Sequence, residues 1–180
     1  MLALLDRDGV LNEDRPDFVK TPDELRMIPG AAEAVARLNR AGWRVAICTN
    51  QSCIGRGIVR PEMLARIHEH LREHLARAGA HVDAIYFAPD HPSAPTEMRK
   101  PRPGMLCRAM ADLRQEPGDA VMIGDSLGDL EAATAAGCRR ILVRTGKGQK
   151  TQASGLPPHV LPVAVHESLA AAVDALLGPA

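Results

Sequence analysis

Five short apolar runs recur along this chain, and segments with helical periodicity separate them. The runs occupy residues 2–5, 44–48, 84–88, 120–123 and 141–143, and Gly, Asp or Pro residues flank them. Apolar runs of this length are typical of strands buried on both faces of a parallel sheet. The segments between them begin near prolines and end at glycines, as helices do. The alternation predicts an α/β fold with three layers, in which helices cover both faces of a doubly wound, mostly parallel sheet. The Gly-, Pro- and Ser-containing segment 146–158 predicts a loop, and residues 159–165 and the Ala-rich stretch to 177 predict a last strand and helix.

Length and composition favour one domain, residues 1–180. A chain of 180 residues can form one compact core but is too short for two ordinary domains. Lys and Arg balance Asp and Glu, so the formal net charge is zero, and aromatic residues make up only 2%. A neutral, aromatic-poor chain offers neither the basic surface nor the stacking platforms of a nucleic-acid-binding protein. We therefore expect no nucleic-acid and no membrane partner.

The cysteines and the hydropathy indicate a cytoplasmic protein. The four cysteines are widely spaced and form no C-x-x-C pair, which is typical of reduced, buried thiols. No stretch approaches the roughly 18 apolar residues of a membrane span. The first motif begins within six residues of Met1, which leaves no room for a cleaved signal.

A pair of carboxylates follows the first predicted strand. Asp6 and Asp8 are two residues apart, and Gly9 lets the chain turn sharply after them. Carboxylates this close repel each other unless a cation neutralises them, and an all-oxygen site near phosphate suits Mg²⁺. An Asp-Gly turn after a strand is also a common structural feature, so this motif alone decides nothing.

Three further polar groups follow the next predicted strands. Residues 49–52 read Thr-Asn-Gln-Ser, Arg99 and Lys100 form a basic pair before a helix, and Asp125 and Asp129 stand at a strand-to-helix turn. Each group has an ordinary explanation: a polar loop, a solvated basic pair, or a helix N-cap with an acidic first turn. Their ordered placement at strand ends, where ligands bind in such folds, predicts one site for a phosphorylated ligand.

With these four motifs the sequence resembles the haloacid dehalogenase (HAD) superfamily of hydrolases, and the match covers residues 4–145. The resemblance implies a phosphatase that works in two steps. Asp6 would be the nucleophile and form an aspartyl phosphate, and Asp8 would act as the acid and base. Thr49 and Lys100 would hold the phosphoryl oxygens.

The same resemblance implies a Mg²⁺ cofactor. Its ligands would be Asp6, Asp8 through its backbone carbonyl, and Asp125. We expect Asp129 to support Lys100 or a metal-bound water rather than to bind the metal directly.

Longer local matches resemble the D,D-heptose 1,7-bisphosphate 7-phosphatases. They occur in residues 6–14, 49–57, 99–105 and 143–146. This resemblance implies hydrolysis of the C7 phosphate of heptose 1,7-bisphosphate, a small-molecule sugar phosphate, to heptose 1-phosphate for nucleotide-heptose and lipopolysaccharide synthesis. It implies substrate contacts by a further set of residues: Asp14, Asn50, Gln51, Ser52, Arg99 and Ser126.

The spacing between motifs leaves no room for a cap domain, so we expect an open site whose specificity comes from loops. Many related phosphatases hold a zinc ion in the loop before Arg99 with three cysteines and a histidine. Here no cysteine lies between Cys53 and Cys107, and His91 stands alone. We expect no zinc and a loop held by its prolines.

Three histidines lie on one predicted helix. His70 and His74 are four residues apart, but the order H-E-x-x-H and a third ligand are missing, and charged residues surround them. The pattern favours a solvated helix face that carries His68, His70 and His74.

Alternative functions remain open at this point. Histidinol-phosphate phosphatases share many of the same sequence motifs, and nucleic-acid 3′-phosphatases have a similar Thr-Asn-Gln loop. A chain of this fold could also bind phosphosugars without catalysis, although none of the four motifs looks disabled. We expect a monomer.

Overall fold

The protein forms a single six-stranded sheet in which every strand runs parallel to its neighbours. A computed structural model describes residues 1–178. The strand order is β3-β2-β1-β4-β5-β6. The strands are Leu2–Leu5 (β1), Arg44–Asn50 (β2), Ala84–Ala88 (β3), Ala120–Gly124 (β4), Arg139–Val143 (β5) and Ala164–His166 (β6). The predicted doubly wound sheet is confirmed.

Helices cover both faces of this sheet. They are Ala31–Arg40 (α1), Ser52–Gly55 (α2), Pro61–Arg77 (α3), Gly104–Asp112 (α4), Leu127–Ala136 (α5), Gly148–Ala153 (α6) and Leu169–Leu177 (α7). Odd-numbered residues of β1, β2, β4 and β5 pack against α1, α3 and α7. Even-numbered residues of β1, β2 and β4 pack against α4 and α5 on the other side. The two-residue period of a strand thus builds two cores from one apolar run.

Helix α3 illustrates how the sequence determines a packing face. Leu64, Ile67, Leu71 and Leu75 recur at helical spacing, and each is at most 1% exposed. Burial of each such side chain contributes about 1.5–3 kcal/mol. The opposite face of α3 carries exposed charged residues.

The region after β5 differs from the prediction. Residues 146–158 were expected to form a loop, but they contain α6. The last strand was expected over residues 159–165, but β6 covers only Ala164–His166, and Pro158–Val160 is a 3-10 turn. Prolines at positions 157, 158 and 162 lack the N–H that a sheet ladder requires, which explains the shorter strand.

The connections after β1 and β2 contain no inserted cap. Residues 6–43 hold a loop and α1, and residues 51–83 hold α2 and α3. The site at the carboxyl ends of the strands therefore stays open. No helix within residues 1–178 has the length and apolar character that crossing a membrane requires.

Candidate active site

The four sequence motifs meet in one cleft at the carboxyl ends of the strands. Asp6 follows β1, Thr49 lies near the end of β2, and Asp125 follows β4. In the strand order, β1 lies between β2 and β4, so these chain ends are adjacent. The cleft has a volume of about 320 Å³. Ten of the predicted site residues line it: Asp6, Asp8, Asp14, Thr49, Asn50, Ser52, Arg99, Lys100, Asp125 and Ser126.

Lys100 is the central cation of the cleft. Its side chain is 3% exposed, and its Nζ lies 2.7 Å from the carbonyl oxygen of Cys48, 3.0 Å from Asp6 Oδ1 and 2.5 Å from Asp129 Oδ1. One N–H of the ammonium group donates to the Cys48 carbonyl, and the two carboxylates are its ion-pair partners. Burial opposes the charge, but the two carboxylates outweigh it and raise the pKa of Lys100. Lys100 is therefore a permanent positive charge beside Asp6.

Asp6 lies in an environment that makes its charge costly. Burial raises its pKa to about 6, Lys100 opposes the increase, and the negative charges of Asp129 and Asp8 add to it. Its Oδ1 accepts hydrogen bonds from the Arg7 amide at 2.7 Å and from Lys100. The carboxylate thus has a fixed orientation at the floor of the cleft.

Two glycines form a cradle for the Asp125 carboxylate. A Cβ atom on Gly9 would lie 2.1 Å from Asp125 Oδ2, and a Cβ atom on Gly146 would lie 2.2 Å from the same oxygen. Both glycines have positive φ, +84° and +56°, which favours glycine independently of space. The amide of Lys147 donates to Asp125 Oδ2 at 2.7 Å. Burial, then the charges of Asp6 and Asp129, raise the pKa of Asp125 to about 8.

The carboxylates of the cleft fit a divalent cation. One oxygen from each of Asp6, Asp125 and Asp129 lies within 4.8 Å of the others, and this is the only such cluster among residues 1–178. Lys100 neutralises one of the three charges, and burial, together with the negative charge that remains, raises the pKa of Asp6 and of Asp125. An all-oxygen donor set with excess negative charge is suited to Mg²⁺.

A separate set of donors surrounds the Asp8 carboxylate, which also lines the cleft. Arg7 Nη2 lies 2.8 Å from Oδ1 and 2.9 Å from Oδ2. Asn12 Nδ2 donates to Oδ1 at 2.9 Å, and Gln51 Nε2 donates to Oδ2 at 2.8 Å. Burial alone would raise the pKa of Asp8, but the charge and hydrogen bonds of Arg7, followed by those of Asn12 and Gln51, lower it overall. In this arrangement Asp8 is ionised.

The side chains of the Thr-Asn-Gln-Ser segment, residues 49–52, have two roles. Some line the cleft, and others position neighbouring residues. Thr49 Oγ1 accepts a hydrogen bond from Gln51 Nε2 at 2.9 Å, so its own O–H can donate into the cleft. Asn50 exchanges two hydrogen bonds with the backbone of Lys100, at 2.9 and 3.1 Å, and so positions that residue. Ser52 lines the cleft at the start of α2.

Gln51 is placed differently from the prediction of a substrate contact. It is 2% exposed and does not line the cleft. Both N–H groups of its amide are engaged, one with Asp8 and one with Thr49. The physical reason is that the Gln51 amide lies between Asp8, in the loop after β1, and Thr49, on β2, and donates to both. Gln51 therefore supports the site from within the protein.

The rim of the cleft is rich in cations. Arg99 lies in the rim and donates to the carbonyl oxygen of Asp90 at 3.2 Å. Lys147 Nζ lies 3.0 Å from Asp14 Oδ2. Arg15 and Phe18 also line the cleft, and neither was predicted as a site residue. The rim can thus attract an anionic substrate around a negatively charged floor.

The loop over residues 89–99 is held by side-chain hydrogen bonds. The Asp90 carboxylate accepts from the backbone amide of Thr96 at 2.8 Å and from its hydroxyl at 2.6 Å. His91 contacts Ser93 at 2.7 Å within the same loop. These contacts close the loop that, by the resemblance, holds zinc in many related phosphatases.

The histidine-bearing helix is only partly a solvated face, so the prediction was wrong for His68. His68 is 8% exposed, and its Nε2 lies 3.3 Å from Arg7 Nη1. It occupies the side of α3 that faces the strand ends, between Ile67 and Leu71 of the apolar stripe. His70 and His74 are half-buried, and their Nε2 atoms lie 3.1 Å apart.

Sequence reasoning missed Arg7 and His68 for two different reasons. Arg7 stands between the two motif aspartates, but its residue type carried no weight there, although a charge beside a strand end is a usable signal. His68 lies 61 residues away along the chain, and only the packing of α3 brings it near. Gly146 was noted within a longer match, but only its φ and its distance to Asp125 reveal its role.

Comparisons with known proteins agree with this geometry. A family model described as HAD-hydrolase-like matches residues 97–172. The chain is 44% identical over 176 residues to the D-glycero-beta-D-manno-heptose-1,7-bisphosphate 7-phosphatase of Pseudomonas aeruginosa, covering 98% of this chain and 97% of that one. It is 43% identical over 176 residues to the enzyme of the same name from Bordetella bronchiseptica, covering 98% and 97% of the two chains.

Two solved structures are similar over nearly the whole chain. One is the D,D-heptose 1,7-bisphosphate phosphatase of B. bronchiseptica in complex with magnesium and phosphate. It has a TM-score of 0.93 and 43% identity and covers 99% of each chain. The other is the D,D-heptose 1,7-bisphosphate phosphatase of Burkholderia thailandensis, with a TM-score of 0.75, 38% identity and 99% coverage of each chain.

Proposed function

Because the chain belongs to the D,D-heptose 1,7-bisphosphate 7-phosphatase family of HAD-like hydrolases, we propose that it removes the C7 phosphate of D-glycero-D-manno-heptose 1,7-bisphosphate and releases heptose 1-phosphate. The observation that carries the proposal is the Asp6–Lys100–Asp129 ion-pair group beside Asp125 in an open cleft. The enzymes of Pseudomonas aeruginosa and Bordetella bronchiseptica to which the sequence was compared carry the beta anomer in their names, and we propose the same preference here.

The first chemical step is a transfer of the phosphoryl group to Asp6. A carboxylate oxygen of Asp6 forms a bond to phosphorus while the bond from phosphorus to the C7 oxygen breaks. Asp8 delivers a proton to that departing oxygen. Lys100 and the Thr49 hydroxyl hold the phosphoryl oxygens, which carry the charge that develops.

The second step regenerates the enzyme. Asp8, now a carboxylate, takes a proton from a water molecule whose oxygen attacks phosphorus. The bond between phosphorus and Asp6 breaks, and inorganic phosphate leaves. The ionised state of Asp8 in the structure matches this second half of the reaction. The first half uses the protonated form of Asp8.

The carboxylate cluster supports a bound Mg²⁺ held by Asp6, the backbone carbonyl of Asp8, and Asp125. When bound, Mg²⁺ supplies positive charge that neutralises the carboxylates and the phosphoryl oxygens. Asp129 Oδ1 lies 2.5 Å from Lys100 Nζ. Asp129 therefore contributes by keeping the Lys100 ammonium beside Asp6.

The rim supplies recognition of the second phosphate. Arg99 is partly buried at the mouth of the cleft, and a guanidinium can bind phosphate with two parallel hydrogen bonds. We assign the C1 phosphate to Arg99, with Asp14, Asn50, Ser52 and Ser126 near the sugar. Support for this assignment comes from their common position around the cleft.

The biological setting is an inference from the family. We propose a monomeric cytoplasmic enzyme whose product enters nucleotide-heptose and lipopolysaccharide synthesis. We propose further that it holds no zinc, because the loop before Arg99 contains no cysteine.

A substrate comparison tests the function. We expect kcat/KM for the beta heptose 1,7-bisphosphate to exceed the values for the alpha anomer, for histidinol phosphate and for a 3′-phosphorylated oligonucleotide. Asp6→Asn should abolish turnover of every substrate, and acid quenching of the wild type should trap a phosphorylated chain. A strong preference for histidinol phosphate would overturn the substrate assignment. Unchanged turnover by Asp6→Asn would overturn the covalent mechanism.

A further inference from the structure

Arg7 is a buried guanidinium with two polar neighbours. Its side chain is 1% exposed, and Nε and Nη2 both point to the Asp8 carboxylate, at 3.3 and 2.8 Å from Oδ1. Its remaining nitrogen, Nη1, faces His68 Nε2 at 3.3 Å. Among residues 1–178, Asp8 and His68 are the side chains that accept hydrogen bonds from Arg7.

His68 has the chemical state that this contact requires. A guanidinium only donates, so the Nε2 atom of His68 has to be the acceptor and the proton of the neutral ring has to be on Nδ1. Burial, and then the positive charge of Arg7, lower the pKa of His68 to about 4, so the ring is neutral near pH 7. The ring packs edge-on against Phe87, with 5.8 Å between centroids and 62° between planes. Phe87 therefore restricts the orientation of the imidazole.

We propose that His68 is a positioning residue for proton transfer, which fixes the guanidinium of Arg7 and through it the carboxylate of Asp8. The proposal rests on the role of Asp8 given under the proposed function. An arginine side chain has several rotatable bonds, and contact with Asp8 alone would leave the plane of the guanidinium free to tilt with the carboxylate. The contact from His68 to Nη1 holds the opposite end of that plane. Asp8 then stays where its proton can reach the departing oxygen.

The proposal predicts a dependence on the leaving group. An alkyl or sugar phosphate has a poor leaving group and needs a proton from Asp8 as its ester bond breaks. The leaving group of p-nitrophenyl phosphate is stable as an anion and needs little protonation. Misplacement of Asp8 should therefore slow the alkyl ester much more than the aryl ester. A general loss of structure would slow both equally.

The experiment compares kcat/KM for the heptose bisphosphate and for p-nitrophenyl phosphate in Mg²⁺-loaded full-length protein. For His68→Leu we expect the ratio of the two values to fall about tenfold. His68→Gln places an amide oxygen near the position of Nε2 and should restore most of the ratio. The matched control is His70→Leu, because His70 lies two residues away on the same helix and does not contact Arg7. It should leave the ratio unchanged.

The outcomes separate this inference from the proposed function. If the wild type hydrolyses another alkyl phosphate but not the heptose bisphosphate, the substrate assignment fails, and the ratio is measured with that ester instead. If His68→Leu lowers both kcat/KM values by the same factor, or behaves like His70→Leu, the positioning role is wrong. If His68→Leu does not fold, Phe87→Leu replaces it, and an unchanged ratio in Phe87→Leu overturns the proposal.

Discussion

The ammonium group of Lys100 lies 3.0 Å from Oδ1 of Asp6 at the floor of the cleft, and the two side chains are 3% and 13% exposed. The proposed nucleophile thus has a cationic partner before any phosphate enters. Asp129 holds the same ammonium from the other side at 2.5 Å, so Lys100 cannot leave Asp6 without breaking a second ion pair. The position of the positive charge is therefore set by the folded chain and does not depend on substrate.

Replacement of Lys100 by methionine should damage both stability and catalysis. The change leaves Asp6 and Asp129 buried without their cation, and breaking a buried pair costs about 3–5 kcal/mol. Loss of a cation that stabilises transferring phosphoryl oxygens should lower kcat by about 100-fold to 1,000-fold. Urea denaturation and steady-state kinetics measure the two effects. Lys20→Met is the control, because Lys20 pairs with Asp17 and Glu24 at the surface and should cost about 0–1 kcal/mol.

Binding of Mg²⁺ should strengthen as pH rises from about 6 to about 8. In the metal-free site the pKa of Asp125 is about 8 and that of Asp6 is about 6, so Mg²⁺ must displace protons at the lower pH. The apparent Kd should fall by at most about tenfold per pH unit for each proton displaced. Calorimetric titration in buffers of different ionisation enthalpy measures both affinity and proton release.

The same raised pKa values predict how metal removal affects stability. A carboxyl group whose pKa is raised in the folded state keeps its proton where the unfolded chain has lost it. Below about pH 6.5 the lowered pKa of His68 acts in the opposite direction, so the metal-free protein should lose stability as pH rises from about 6.5 to about 8, and Mg²⁺ should remove that loss. Thermal unfolding with chelator and with Mg²⁺ across this range checks the sign. A metal-free protein that becomes more stable over the same range would contradict the raised pKa values.

Gly146→Ala should disrupt the Mg²⁺ site beyond its effect on the backbone. The new Cβ would lie 2.2 Å from Asp125 Oδ2 and 2.5 Å from the Cα of Gly9, so the Asp125 carboxylate has to move. Gly42→Ala is a matched control, because Gly42 also has a positive φ, +77°, but no neighbouring atom within 4 Å. Both variants should lose about 1–2 kcal/mol from the left-handed backbone. Only Gly146→Ala should also lose Mg²⁺ affinity, and equal affinity in both variants would count against the cradle.

The loop over residues 89–99 should depend on Asp90 and Thr96 rather than on a metal. Thr96→Val removes the hydroxyl donor to Asp90, whose backbone carbonyl in turn accepts from Arg99. We expect KM for the bisphosphate to rise about twofold to tenfold, the value of one hydrogen bond. Ser93→Ala, which alters a contact with His91 only, should leave KM unchanged. Elemental analysis should find zinc far below one ion per chain, and a stoichiometric amount would contradict the loop assignment.

The sheet and the location of the site were predictable because both follow from local pattern and topology. The apolar runs that became β1, β2 and β4 are buried on both faces, and their carboxyl ends meet at one edge. Once the strands were assigned, Asp6, Thr49 and Asp125 had to be neighbours. Local sequence pattern, and the rule that ligands bind at the carboxyl ends of parallel strands, were sufficient to predict the sheet and the location of the site.

The supporting residues were not predictable because they depend on contacts between distant segments. The ring of His68 reaches Arg7 only through the packing of α3, and Asn50 reaches the backbone of Lys100 across 50 residues. Helix α6 was missed because residues 148–153 carry no apolar stripe. It is held instead by contacts such as that from the Thr151 hydroxyl to the Asp125 carbonyl oxygen at 2.9 Å. Periodicity does not report such tertiary hydrogen bonds.

The glycine cradle of Asp125 divides the molecule into a part that tolerates redesign and a part that does not. Gly9 and Gly146 bring the loops after β1 and β5 so close to Asp125 that any added atom displaces a carboxylate oxygen. Arg15 and Phe18, farther along the loop after β1, and Arg99 line the cleft without entering this contact. The rim residues could therefore be replaced to obtain a phosphatase for another sugar, while the residues that carry out hydrolysis stay in place.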